Sequence, residues 1–137
     1  MEKTLIIIKP DAVKKGIVGK ILARFEEEQI KIKKMKMLHL TRQEAEGFYA
    51  VHRGKNFFNS LTSFMSEGPI VVAVLEADNV ISRVRQIMGA TNPEDADKGT
   101  IRKDFASSTE RNCIHGSDSQ ESAKFEISYF FSGIELK

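Results

Sequence analysis

Cysteine is nearly missing from this chain. Of its 137 residues only Cys113 carries a thiol, so neither an intramolecular disulfide framework nor a cysteine-held zinc site is available. Long hydrophobic runs are also lacking. The N-terminal segment MEKTLIIIKPD holds four consecutive apolar residues before Lys9, far below a signal-peptide core or the roughly 20 residues of a membrane helix. Nor does charge of one sign dominate: 21 Lys+Arg face 19 Asp+Glu, a net +2 at 29% charged content. That balance excludes a disordered polyelectrolyte and argues against a DNA-coating protein, which needs a concentrated positive excess. Internal repeats and low-complexity segments are absent as well. What remains is one domain over residues 1–137, large enough to bury a core without disulfides or a structural metal, and expected in the cytoplasm.

The apolar pattern predicts strands alternating with helices. TLIII (4–8) and IVVAVL (70–75) are continuous β-branched runs, the mark of strands buried on both faces. Pro10 ends the first run and biases Lys9 to an extended conformation. Residues 30–40 alternate with a phase slip near Lys33–Lys34, as a half-buried strand would. Helical spacing covers 17–25, and Phe57, Phe58, Leu61, Phe64 and Met65 form another stripe, stopped by Gly68–Pro69. Thr41 with Glu44 fits a capping box. Asp78 is the expected N-cap of a helix closed by Gly89. Residues 90–114 read as a long polar loop with Ile101 and Phe105 as anchors, a length more often functional than idle. A last helix, 118–131, starts at Ser117/Asp118.

Several familiar motifs fail on inspection. GIVGK (16–20) has two residues between its glycines and Ile21 after the lysine, so it is no phosphate loop. His115, Ser117 and Asp118 lack the G-x-S-x-G elbow of a hydrolase, and His39, His52 and His115 lack metal-ligand spacing.

His115 has two readings. It is either a histidine satisfied by local caps or a nucleophile beside Gly116, where the following helix start offers amide donors and a positive dipole end to an anion. Cys113 and Ile114 before it make a short apolar step, expected at an edge of the sheet. Glu126 bears on the choice, lying about 60° from Ala123 and about 40° from Phe130 around its helix, at the border of the core stripe. It is either a snorkelling surface glutamate or a carboxylate accepting an imidazole N–H, which would fix the tautomer and free the other nitrogen. Lys9 ends a buried strand, Arg85 lies about 40° from Ile81 around its helix, and Arg102 sits mid-loop near Thr91 and Asn92. Singly each is an ordinary surface charge; together with a nucleophilic histidine they suit an oligophosphate.

NCIHGSD (112–118), TLIIIKPDAV (4–13), GPIVVAVLE (68–76) and GATNPEDADKGTIRKDF (89–105) occur in the order and spacing of the nucleoside diphosphate kinases, and the chain resembles that family over its whole length. The resemblance implies an α+β sandwich of ferredoxin-like βαββαβ topology, with a four-stranded antiparallel sheet covered by helices. It implies ping-pong transfer of a γ-phosphoryl group from a nucleoside triphosphate to a diphosphate through His115, phosphorylated at Nδ1, with Glu126 orienting the ring. Lys9 and Asn112 match contacts to sugar and phosphates, Arg85, Thr91 and Arg102 match phosphate ligands, and Tyr49 and Ser117 match residues lining the transferred phosphate. Phe57, which the residues alone place in the core beside Phe58, matches the platform on which the base stacks. Stacking is indifferent to base identity, so ATP, GTP, ADP and others are all expected substrates. Mg2+ is expected on the nucleotide phosphates, with no protein-held metal site. The family forms tetramers or hexamers built from dimers, so a homo-oligomer is expected, with no membrane association and no primary nucleic-acid role. Lys98, Lys103 and Lys55-Asn56 depart from the family's common residues without removing a catalytic group, and place in question the rigidity and subunit contacts of the long loop. Two other readings keep the same fold: a catalytically silent nucleotide-binding regulator, and a nucleic-acid-binding module suited to the pI of 8.7.

Overall fold

Thr4 to Ile8 is completely removed from solvent, as an unbroken apolar run requires. It forms the inner part of β1 (Glu2–Ile8) in the computed structural model, which describes residues 1–137. The chain continues through α1 (Pro10–Lys15), α2 (Val18–Glu27), β2 (Lys31–Leu38), α3 (Arg42–Phe48) and α4 (Phe58–Met65). Then come β3 (Ile70–Ala77), α5 (Val80–Met88), α6 (Ile101–Phe105), β4 (Ile114–Gly116) and α7 (Gln120–Phe130). The strands pair antiparallel in the order β2-β3-β1-β4, with helices on both faces. This is the βαββαβ arrangement that the family resemblance implied.

The period of two along β1 divides the core. Ile6 and Ile8 face a layer with Ile21, Phe25, Val84 and Met88 from α2 and α5. Leu5 and Ile7 face a layer with Phe48, Phe64, Met65 and Phe130 from α3, α4 and α7. Each fully buried Leu or Ile contributes about 2 kcal/mol of transfer free energy, and this central strand carries four of them. α7 packs against β1 and serves both layers, giving Ala123 to one and Phe130 to the other. β4 has only three residues, with Ile7 opposite His115. Cys113–Ile114 does lead into an edge strand.

Four local expectations hold. β2 alternates between half-buried and exposed residues, and its register against β3 shifts between Ile32 and Lys34. Thr41 and Glu44 form the reciprocal capping box. Lys9 is extended. Gly89 closes α5 at φ +89°.

Others are corrected. Pro10 ends β1 but also opens α1, because a proline at the first helical position lacks only an N–H that would have gone unpaired. Asp78 does not cap α5: Asn79 occupies that position in a left-handed conformation, and the carboxylate of Glu2 accepts the Ile81 N–H at 2.9 Å. α7 starts later than expected, with Ser119 accepting the N–H of Ser122. The segment 90–114 is no continuous loop, since it holds a 3-10 turn at Pro93–Asp95 and α6, whose N-cap Thr100 accepts the Lys103 N–H.

Candidate active site

A chain edge that turns sharply creates the site. Cys113 has a positive φ of +75°, a conformation that disfavours any residue with a Cβ. Two partners hold it there. Its N–H donates to Asp11 Oδ2 at 3.1 Å, and its carbonyl accepts the Lys9 N–H at 2.8 Å. The turn places Asn112 beside the end of β1 and sends the chain on into β4. Cys113 itself is fully buried, and burial, reinforced by Asp11, pushes its thiol up to about 12. It packs; it is not a nucleophile.

His115 projects from β4 among aromatic rings. Phe48 and Tyr49 meet it edge-on, with centroids at 5.5 and 6.3 Å. Its Nε2 lies 2.8 Å from Glu126 Oε1. A carboxylate has no proton to give, so Nε2 is the donor and the lone pair stays on Nδ1. Glu126 is in turn fixed by Ser117, whose Oγ donates to the same oxygen at 2.8 Å. With its side chain only 14% exposed, Glu126 is the imidazole's partner and not a snorkelling surface residue.

Three cations sit near the ring. Lys9 is 6% exposed, with Nζ donating to Asn112 Oδ1 at 2.8 Å. Burial, with repulsion from Arg102, pulls its ammonium down to about 8. Arg102 is equally buried and donates to the carbonyls of Gly89 at 3.0 Å and Ile114 at 2.7 Å, leaving Nε without a partner. Burial, with Arg85 nearby, brings its pKa down to about 10. Arg85 donates to the Gly116 carbonyl at 3.2 Å. Backbone oxygens hold both guanidinium groups, so their charge is oriented but not neutralised, which suits an anion. The Tyr49 hydroxyl is likewise buried without a partner, and burial, with Glu126 adding, raises its pKa.

One cavity of about 630 Å³ gathers these groups. Of the residues singled out from the sequence, Lys9, Tyr49, Phe57, Arg85, Thr91, Arg102, Asn112, His115 and Glu126 all line it. Ser117 does not: it is fully buried, and its hydroxyl is committed to Glu126. Phe57 is not a core residue. It is 43% exposed at the start of α4, its ring against His52 at 5.3 Å. Sequence reasoning missed Phe48, His52, Thr109, Glu110, Asp118 and Ser122, which share the cavity. Asp118, held below the ordinary carboxyl range chiefly by a hydrogen bond from Ser122, lies next to the NCIHGS stretch and was legible by proximity. No group of three or more His, Cys, Asp or Glu side chains is placed to hold a metal ion.

The family model for nucleoside diphosphate kinase matches residues 2–136. A nucleoside diphosphate kinase of Geotalea daltonii is 59% identical over 136 residues, covering 99% of both chains. One from Desulfosudis oleivorans is 57% identical, covering 99% of this chain and 98% of the other. Among solved structures, the Aquifex aeolicus nucleoside diphosphate kinase superposes with a TM-score of 0.96 at 50% identity, with 99% of each chain covered. A halophilic enzyme from Halobacterium salinarum in complex with CDP gives 0.95 at 38% identity, covering 99% of this chain and 91% of that one.

Proposed function

The chain belongs to the nucleoside diphosphate kinase family and has that enzymatic activity, and from this premise we propose that the phosphoryl group passes through Nδ1 of His115. One observation carries the assignment: Glu126 accepts the Nε2–H hydrogen bond at 2.8 Å and leaves the nucleophilic lone pair on the other nitrogen, inside a cavity that also holds Lys9, Arg85 and Arg102. As the Nδ1–P bond forms, the bond from the γ-phosphorus to the bridging oxygen breaks. The diphosphate leaves with that electron pair and no external proton is needed. A terminal β-phosphate oxygen of a second diphosphate then attacks the same phosphorus and regenerates the imidazole.

Each remaining group has a role set by its position. Arg85 and Arg102 offer forked donors to the phosphate oxygens, where a loose transition state spreads its charge. Lys9 and Asn112, joined at 2.8 Å, contact sugar and phosphate, and Thr91 adds a hydroxyl. Tyr49 brings a donor with no protein partner. Ser117 acts from behind, steadying Glu126. Phe57 carries the base on its exposed face. Since one cavity serves donor and acceptor alike, a covalent intermediate lets the two nucleotides use it in turn.

The donor set near the phosphates is cationic, and no carboxylate cage is assembled. Mg2+ would therefore fit as an ion held by the nucleotide's own phosphates, with Asp118 among the carboxylates that line the same cavity. When bound there it would neutralise phosphate charge. We assign the protein to a homo-oligomer, tetramer or hexamer, built from dimers: β2 is an edge strand and exposes Met35 and Met37, and sedimentation equilibrium decides the order. No helix is long and apolar enough to cross a membrane, in keeping with a cytoplasmic enzyme.

Incubation with γ-labelled triphosphate should give an acid-labile, alkali-stable protein phosphate that is lost in His115→Ala. Label on serine, or label that persists in the variant, overturns the mechanism.

A further inference from the structure

Phe57 ends the approach to α4, and Ser60 lies three residues on, so the two side chains are neighbours on the helix surface. Ser60 Oγ donates to Glu110 Oε1 at 3.0 Å. A carboxylate that the function described above does not use is thereby tied to the helix that carries the aromatic platform, within the same cavity.

Its position is set by the fold. Residues 107–111 form a closed turn in which the Arg111 carbonyl accepts the N–H groups of Ser107 and Ser108 at 3.0 and 3.3 Å. Arg111 then anchors this turn to α4, lying over the Phe64 ring at 4.7 Å and pairing with Glu67 at 3.1 Å. On the other side the Thr109 carbonyl accepts from Asn112 Nδ2 at 2.8 Å. Glu110 thus sits between two anchors, half-buried and facing the cavity.

We propose that Glu110 reads the edge of the base stacked on Phe57 and biases the enzyme toward bases with adjacent N–H donors, guanine above all, and against uracil and thymine. This rests on the reading that Phe57 carries the base. Ser60 occupies Oε1 and leaves Oε2, with the remaining lone pairs, for a ligand. Guanine offers N1–H and N2–H side by side, a fork that matches a carboxylate. Adenine and cytosine offer one amino group. Uracil and thymine present a single N–H between two carbonyl oxygens, which a carboxylate repels. A negative group here also disfavours the phosphates, so the triphosphate is drawn to the Lys9, Arg85 and Arg102 end and the base is left at the Phe57 end. Stacking then sets affinity for every base, and Glu110 sets their order.

The test is a competition. Phosphorylated full-length enzyme is offered equal GDP and UDP, and the ratio of triphosphates formed gives the ratio of kcat/KM, whatever fraction of enzyme is active. The wild type should favour GDP by about tenfold, the value of one good forked contact. Glu110→Gln, which turns one acceptor into a donor, should bring the ratio down at least fivefold, and Ser60→Ala should lower it in the same direction by freeing the carboxylate. Phe57→Ala separates the two ideas, since it should raise KM for all diphosphates by a similar factor. If Phe57→Ala does so while Glu110→Gln leaves the ratio unchanged, Glu110 is only a loop anchor and the proposal fails alone. If Phe57→Ala has no effect on any KM, the base is elsewhere and both readings fall.

Discussion

Lys9 is held charged at a cost, and that cost can be measured. Burial pulls its ammonium from 10.5 to about 8, with Arg102 adding to the effect. The folded chain therefore holds this proton less tightly than the unfolded chain does. Below about pH 8 the folded state bears the whole penalty, about 3 kcal/mol from the size of the shift. Between that value and 10.5 the unfolded chain binds more protons, so stability rises with pH and the penalty fades. Lys9→Met keeps the apolar stem and removes the charge, but it leaves Asn112 Oδ1 without its donor, which costs about 1–2 kcal/mol. The variant should thus be more stable than the wild type at neutral pH by about 1 kcal/mol, or about 3 °C in Tm for a chain of this size. The pH dependence is the sharper test, because other titrating groups cancel when variant and wild type are subtracted. Urea unfolding without nucleotide should show the stability difference falling by about 1.4 kcal/mol from pH 7 to pH 9, enough to remove the variant's advantage and slightly reverse it. A difference that stays flat across that window refutes the argument. The same variant should bind nucleotide at least tenfold more weakly, since the ammonium left unneutralised by the protein is what a phosphate would neutralise.

Two further substitutions probe the rest of the site. Glu126→Gln can donate an amide N–H to Nε2 and so move the imidazole proton to Nδ1, the nitrogen proposed to attack. Single-turnover phosphorylation of His115 should slow by about 10²–10³-fold while KM for the diphosphate stays within about twofold; a rise in KM with unchanged rate would mean that Glu126 acts in binding instead. Gly89→Ala combines φ +89° with a Cβ that would lie 2.5 Å from Thr100 Oγ1 and 2.7 Å from its Cβ. Urea unfolding should show a loss of about 2–3 kcal/mol, and KM should rise because the Gly89 carbonyl holds Arg102. An unchanged midpoint would show that the loop around Thr100 yields freely.

Legibility in the sequence followed the range of the interaction. β1 and β3 announced themselves because burial on both faces demands unbroken apolar runs, and Thr41 with Glu44 because a capping box is complete within four residues. The phase slip at Lys33–Lys34 foretold the register shift in β2 for the same local reason. α1 escaped because its six residues are too few for a period of 3.6 to show, and α6, with five, lay in a polar stretch. Asp78 looked like a cap only until a carboxylate from β1 took the Ile81 N–H, 79 positions away in sequence. In the site, the residue types around His115 were readable, but His52 and Glu110 were not. Nothing near them in sequence marks them; the 3-10 turn at Ala50–His52 and the turn at 107–111 bring them to the cavity. Phe57 misled for a similar reason, since adjacent aromatics look alike until one of them falls at a helix start and faces out.

With a net charge of +2, the chain arranges the proposed phosphate site by controlling which groups hold its cations. Arg102 and Arg85 donate to the carbonyls of Gly89, Ile114 and Gly116, and Lys9 to an amide oxygen. Each cation is oriented by a neutral acceptor. Had carboxylates held them, the cations would be satisfied, and a phosphate would have to displace a partner before binding. The acids nearby have other partners: Glu126 accepts the imidazole N–H, Asp11 accepts the N–H of the left-handed Cys113, Glu110 is held by Ser60 and Asp118 by Ser122. Burial, with repulsion between the cations, depresses the pKa values of Lys9 and Arg102, and an incoming phosphate would offset that cost. Such preorganisation lowers the barrier because the donors do not need to reorient as charge develops. It follows that placing an acid among them, as in Thr91→Asp, should both stabilise the empty protein and abolish turnover, and a variant that kept its activity would contradict this account of the site.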